Sequence, residues 1–226
     1  MRCTLYATLM IEWKISQTPI PYPRAMTEME QRARDIRDHG EAEMIWLLEH
    51  PACYTAGTSA REIDLIDHNK YPVYQTGRGG QYTYHGPGQR IAYVIMDIQK
   101  RGINIRDYVC KLEKWIITAL GKIGIRGELR DGRIGVWVAH DGTESKIAAL
   151  GVRVSRGVAF HGLSININPD LADFQGIIPC GISQYGVTSI AALGKRESMT
   201  DVDKILQQTF DEIFIPISTG CDIIGA

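Results

Sequence analysis

Hydrophobic positions along the chain recur with two different periods. Three stretches carry apolar residues every three to four positions, as an amphipathic helix requires. The first runs from about Arg24 to Asp38, with Met26, Met29, Ala33 and Ile36 on one face and His39-Gly40 as a C-terminal stop. The second starts near Asp107 and aligns Val109, Leu112, Ile116, Ala119 and Ile123. The third starts near Thr200-Asp201, which can cap it, and aligns Val202, Ile205, Leu206, Thr209 and Ile213. Between them lie strand-like runs. Met44–Leu48 and Ile91–Ile98 are almost wholly apolar, as in strands covered on both faces. The runs 134–139, 147–154 and 158–168 are rich in β-branched residues, and Asp141-Gly142 and Arg156-Gly157 between them predict successive hairpins. The expectation is an α+β fold of mixed, mainly antiparallel sheets flanked by helices, with the helices packed to one side. With no internal repeat or low-complexity segment, residues 1–226 read as one domain.

Composition narrows the classes of function. The formal net charge of −1 and the lack of any Lys/Arg block argue against a nucleic-acid partner. No apolar run approaches bilayer-spanning length, and Met1–Tyr6 begins neither a secretory signal nor a transit peptide, so the expected location is the cytoplasm. Cysteines 3, 53, 110, 180 and 221 are odd in number and contain no CxxC, which predicts free thiols rather than a disulfide framework or a zinc site. No strand leads into a Walker A or GxGxxG loop.

Four segments could carry chemistry. The stretch 76–89 is glycine-rich and holds Arg78, a forked donor, and His85; its spacing fits a ligand-approaching loop and a plain glycine hairpin equally. Lys146 leads a strand of small and apolar residues, and reads either as a solvated edge lysine or as one tuned for proton transfer. In 160–168, Gly162 suggests a bulge or a close approach, and Asn166 and Asn168 make one face polar. Cys180 lies between Pro179 and Gly181 on a constrained loop. Cys110, inside a helix, fits a small buried hydrophobe, whereas Cys53, read as the other loop cysteine, competes with Cys180 as a nucleophile.

In order, RGGQYTYHGPGQ at 78–89, SKIAALGVRVSRGVAFHGLSININ at 145–168, PCGI at 179–182 and VTSI at 187–190 resemble the octanoyltransferases of lipoate biosynthesis, as does LLEHPACYTAGTSA at 47–60. The resemblance covers nearly the whole chain; Ala52-Cys53 departs from the usual family pattern and adds a second thiol. It implies the fold of biotin and lipoate protein ligase catalytic domains. It also implies transfer of octanoyl from octanoyl–acyl carrier protein to a lysine of lipoyl domains, in 2-oxo acid dehydrogenase complexes and the glycine cleavage H protein, with no metal or other cofactor. By resemblance, Cys180 is the acyl-thioester nucleophile and Lys146 its activator. The matching substrate-contacting residues are Arg78, Gly79, Gly80, Gln81, Tyr82, Thr83, Tyr84, His85, Ala149, Leu150, Gly151, Gly162, Leu163 and Ser164. Carrier and lipoyl domains are acidic, so Arg78, Arg90, Arg153 and Arg156 are candidates for a basic rim. Two rivals remain: an ATP-dependent ligase on the same fold, and a non-catalytic module that shelters an acyl chain.

Overall fold

The structure, a computed structural model, describes residues 11–178 and 185–215. Eleven strands are found there: β1 (Ile11–Ile15), β2 (Glu43–Leu48), β3 (Cys53–Ala56), β4 (Val73–Gln75), β5 (Tyr82–His85), β6 (Gln89–Asp97), β7 (Glu128–Arg130), β8 (Arg133–His140), β9 (Thr143–Ser155), β10 (Val158–Asn166) and β11 (Gly186–Val187). The α-helices are α1 (Tyr22–His39), α2 (Ile105–Lys122) and α3 (Met199–Phe214). The large sheet runs β1-β2-β6-β10-β9-β8-β7, with β11 added beside β9; a small sheet runs β4-β3-β5. Pairing is antiparallel except for β1 with β2, β11 with β9 and β3 with β4.

The two almost wholly apolar runs form most of β2 and β6, and both faces of each are covered. Ile45, Leu47, Ala92, Val94 and Met96 face Leu112, Trp115 and Ile116 of α2 and Leu206 and Phe210 of α3. Met44, Trp46, Leu48, Ile91, Tyr93 and Ile95 face Ala25, Met29, Ala33 and Ile36 of α1. This corrects the expectation of helices on one side: α1 takes one face, α2 and α3 the other. A sheet buried on both faces has no polar alternation to reveal where helices go.

Helix ends also shift. In α1 the register buries Tyr22 and Ala25, leaving Met26 half-exposed. Asn104 caps α2, accepting from the Asp107 N–H. Ser198 rather than Thr200-Asp201 caps α3, in a box where Asp201 answers the Ser198 N–H. Both expected hairpins form, with Asp141, Gly142, Arg156 and Gly157 all at positive φ, the signature of a tight turn matched to strand twist.

Candidate active site

The face of the large sheet that carries α1 also holds a cavity of about 360 Å³. It opens because β9 outruns its neighbour: pairing with β8 reaches only Val136↔Ala148, while β9 continues to Ser155. The freed edge is taken by the glycine-rich loop, whose Gly79 N–H donates to Val152 O at 3.0 Å. Gly132, Arg133 and Ile134 form the far lip. Of the residues matched by resemblance, Arg78 to Thr83, His85, Ala149 to Gly151 and Gly162 to Ser164 line this cavity. Tyr84 does not; it points into the small-sheet core and donates to Asp173 Oδ2 at 2.8 Å. Its neighbours in β5, Thr83 and His85, both line the cavity.

Arg78 is buried, and its fork is used inside the protein. Nη2 donates to Thr55 O (2.9 Å) and Thr55 Oγ1 (2.6 Å), and Nη1 to Gly79 O (3.0 Å). It clamps the loop to β3 rather than forming a basic rim. Arg90 is also no rim residue, being buried against Asp203 of α3 at 2.8 Å. Arg153 reaches Glu30 of α1 at 3.2 Å.

Lys146 is 5% exposed. Regular alternation would send it with Ala148 and Leu150 toward α2. Instead the β8–β9 register slips between Val136↔Ala148 and Trp137↔Lys146, so Ile147 and Ala148 both face the α2 core. That bulge turns Lys146 toward the other face. Its Nζ donates to Ile134 O at 2.9 Å and stands 4.8 Å from the centre of the Trp137 ring. Gly135 makes this possible. A Cβ there would lie 2.7 Å from Ala148 O and 3.2 Å from Lys146 Cε. Lys146 shares a small recess with Thr83, Gln89, Ala149, Ser164, Asn166, Phe174 and Val187. Thr83, Ala149 and Ser164 also line the main cavity, so the two spaces adjoin.

A buried relay stands behind this junction. Asn166 Nδ2 donates to Thr188 O (2.9 Å), Gln89 Nε2 donates to Asn166 Oδ1 (2.9 Å), and Gln89 Oε1 lies 2.7 Å from His85 Nδ1. A carbonyl oxygen can only accept, so the backbone oxygen at one end orients every member and makes His85 Nδ1 the donor. The polar face expected around Asn166 is therefore internal, not solvated. Burial, with His50 nearby, holds His85 far below the usual imidazole range, hence neutral. His50 is similarly fixed: Nδ1 meets Ile20 O at 2.6 Å and Nε2 meets the Tyr93 hydroxyl at 2.7 Å.

Cys180 lies outside the described residues. Described chain resumes at Tyr185, and Gly186 and Val187 pair directly with Ser145 and Lys146. The Thr188 N–H donates to Lys146 O at 2.9 Å. Cys53 sits on β3, not on a loop, paired with His85 of β5 and 2% exposed. Burial pushes its thiol up to about 12. Cys110 is exposed on α2, against expectation, because the buried stripe of that helix passes through Tyr108 and Leu112. Among the described residues no group of His, Cys, Asp and Glu is arranged to hold a metal ion.

Sequence reasoning missed Tyr22, Ile91, Tyr93 and His161, all of which line the cavity. His161 stood in a segment already singled out, and Gly162 marked the irregularity beside it, but not that the preceding residue would turn its side chain onto the cavity face.

Residues 21–211 match the family of lipoyl protein ligase A/B catalytic domains. An octanoyltransferase of Paramagnetospirillum magneticum is 54% identical over 205 residues, covering 90% of this chain and 97% of the relative. One of Parvibaculum lavamentivorans is 54% identical over 207 residues, covering 90% and 92%. Among solved structures, an archaeal bi-partite lipoate protein ligase from Thermoplasma acidophilum aligns with a TM-score of 0.69 at 14% identity, covering 90% of this chain and 84% of that one. A biotin protein ligase from Aquifex aeolicus, in complex with biotin and ATP, aligns with a TM-score of 0.52 at 15% identity, covering 90% and 69%. At these identities the two structures speak to the fold alone.

Proposed function

Because the chain belongs to the octanoyltransferases, within the lipoyl protein ligase A/B catalytic family, it is an acyltransferase, and we propose that it moves octanoyl from acyl carrier protein to a lysine of lipoyl domains through a thioester on Cys180. The acceptors are lipoyl domains of the 2-oxo acid dehydrogenase complexes and the glycine cleavage H protein. Residues 1–226 act as one catalytic domain, in the cytoplasm. Among the described residues no helix is long and apolar enough to cross a membrane.

The observation that carries this reading is the placement of Lys146. A bulge turns a lysine away from the apolar core and buries it beside an acyl-sized cavity, and its strand pairs with Gly186-Val187, a few residues after Cys180 in the sequence. In the proposed cycle, Lys146 in its amine form takes the proton from the Cys180 thiol. The thiolate attacks the octanoyl thioester, and the carrier sulfur leaves with a proton returned by Lys146. The amine of the lipoyl-domain lysine then attacks acyl-Cys180, loses a proton to Lys146, and Cys180 leaves as the thiolate. Thioester is exchanged for amide, which runs downhill without ATP. The Cys53 thiol, buried and raised to about 12, is a poor competitor. Burial of about seven methylene-sized groups at roughly 0.8 kcal/mol each would contribute on the order of 5 kcal/mol to holding the chain.

Intact-mass measurement after mixing with octanoyl–carrier tests the cycle. One octanoyl should be added without ATP, be absent in Cys180→Ala, persist in Cys53→Ala, and form far more slowly in Lys146→Ala. An adduct retained in Cys180→Ala would move the nucleophile elsewhere. Strict ATP dependence would favour a ligase, and no adduct in any variant a sheltering module.

A further inference from the structure

The methyl end of an octanoyl chain asks only for apolar walls, yet this cavity also has polar ones. Tyr22, Tyr93, His85 and His161 line it together. His161 is the unusual member. Along β10, Ala159, Leu163 and Ile165 face the α2/α3 core, and alternation would send His161 with them. Instead His161 takes φ 63°, a left-handed conformation that non-glycine residues adopt rarely. Gly162 follows so close to β6 that a Cβ would lie 2.2 Å from Ala92 O. The kink swings the imidazole onto the cavity face, stacked on Phe160 (5.3 Å) and edge-on to Tyr93 (6.0 Å). The ring is 1% exposed, and its Nε2 finds no hydrogen-bond partner among the described residues. A neutral imidazole always presents one donor and one acceptor. Strain spent on bringing such a ring to a cavity wall points to a ligand atom that answers it.

The distances fit the far end of the acyl chain. The junction with the Lys146 recess is at Thr83, Ala149 and Ser164. From Ser164 to His161 is three residues along β10, about 10 Å at strand rise. An extended octanoyl chain, advancing about 1.25 Å per C–C bond, spans ~9 Å from carbonyl to terminal carbon. With its carbonyl at the junction, its last carbon reaches the level of His161.

We propose that His161, with Tyr93 beside it, forms a hydrogen-bonding subsite at the inner end of the acyl cavity, and that the enzyme accepts medium-chain acyl thioesters carrying a hydroxyl on the terminal carbon. This rests on the reading that the reacting carbonyl sits beside Lys146. Tyr93 contributes an acceptor: its hydroxyl proton is engaged with His50 Nε2, because His50 Nδ1 must donate to Ile20 O. His161 contributes the complementary N–H.

The test compares octanoyl-, 8-hydroxyoctanoyl- and 6-hydroxyoctanoyl–carrier as donors to a lipoyl domain, using the full chain and following acceptor mass. An apolar pocket rejects an added hydroxyl by about 100-fold. The wild type should use the 8-hydroxy chain within about tenfold of octanoyl in kcat/KM. It should reject the 6-hydroxy chain, whose oxygen falls short of His161, by about 100-fold. In His161→Leu the ratio of 8-hydroxyoctanoyl to octanoyl transfer should fall tenfold or more. Equal rejection of both hydroxylated chains by the wild type, or an unchanged ratio in His161→Leu, would overturn the subsite. The wild-type comparison stands even if His161→Leu does not fold. Octanoyl transfer with both hydroxylated chains rejected removes the subsite alone; no octanoyl transfer at all removes the proposed function with it.

Discussion

Replacing Gly135 by alanine should disable Lys146 without altering it. The new Cβ would stand 2.7 Å from Ala148 O, 3.2 Å from Lys146 Cε and 3.4 Å from Lys146 Cδ, on a residue at φ 116°. The carbonyl contact is with backbone and cannot be relieved by a rotamer change, so β8 must draw back from β9 or the bulge must reorganise. A side chain at that φ costs about 1–3 kcal/mol. For a chain of this size a loss of ~2 kcal/mol lowers Tm by about 4–8 °C. Either adjustment moves the Lys146 stem and its 2.9 Å bond to Ile134 O. A displacement on the order of 1 Å at a reacting group can cost ~100-fold in rate. The assay is the rate of octanoyl addition to the enzyme by intact mass, alongside urea unfolding, in wild type, Gly135→Ala, Lys146→Ala and the double variant. If Gly135 acts through Lys146, the two losses will not add, and Gly135→Ala will slow the Lys146→Ala enzyme by no more than roughly threefold. Wild-type acylation by Gly135→Ala, or the same ~100-fold loss in both backgrounds, would refute a positioning role.

Two further outcomes follow from burial. Cys53, raised to about 12 on β3, should resist iodoacetamide at pH 8 while Cys110 reacts; rapid labelling of Cys53 in the native protein would contradict its placement. Burial also lowers His50 to about 4 and His161 to about 3. Each imidazole therefore gains its proton in the unfolded chain near pH 6.5 but not until lower pH in the native one. The unfolded state binds more protons in that window, so stability is full above about pH 6.5 and falls as pH drops toward 4. At about 1.4 kcal/mol per pH unit, each of the two removes on the order of 3 kcal/mol by about pH 4. Urea unfolding at pH 7 and pH 4.5 should give a shallower decline in His161→Asn than in wild type; parallel declines would mean His161 is not buried neutral.

Much of the fold was readable in one dimension. The two apolar runs became the doubly covered strands β2 and β6, and Asp141-Gly142 and Arg156-Gly157 made the expected hairpins, because strand burial and tight turns are written in local composition. The ordered motifs located the glycine-rich loop, Lys146 and the Gly162 segment, and those segments meet around the cavity and its adjoining recess. Other features depended on partners distant in sequence. The small sheet pairs β3 with β4 in parallel, which no hairpin signal announces. Cys53 passed for a loop residue because its strand is only four residues long. Arg78 and Arg90 read as docking charges, but what each meets, Thr55 and Asp203, is set by packing.

The residue types and their order were determined by the sequence: a lysine leading an apolar strand, a histidine before a glycine, a glycine-rich loop with an arginine. Which face those side chains reach was decided in three dimensions. Period-two alternation would point both Lys146 and His161 into the α2/α3 core. A register slip between β8 and β9 redirects the first, and a left-handed residue in β10 redirects the second. Such departures are imposed by strand pairing across the sheet, where one extra residue or one reversed φ lets neighbouring ladders keep their hydrogen bonds. Gly135 and Gly162 mark where the backbone departs but not which way the neighbouring side chains turn, so Lys146 and His161 were the ones alternation misplaced.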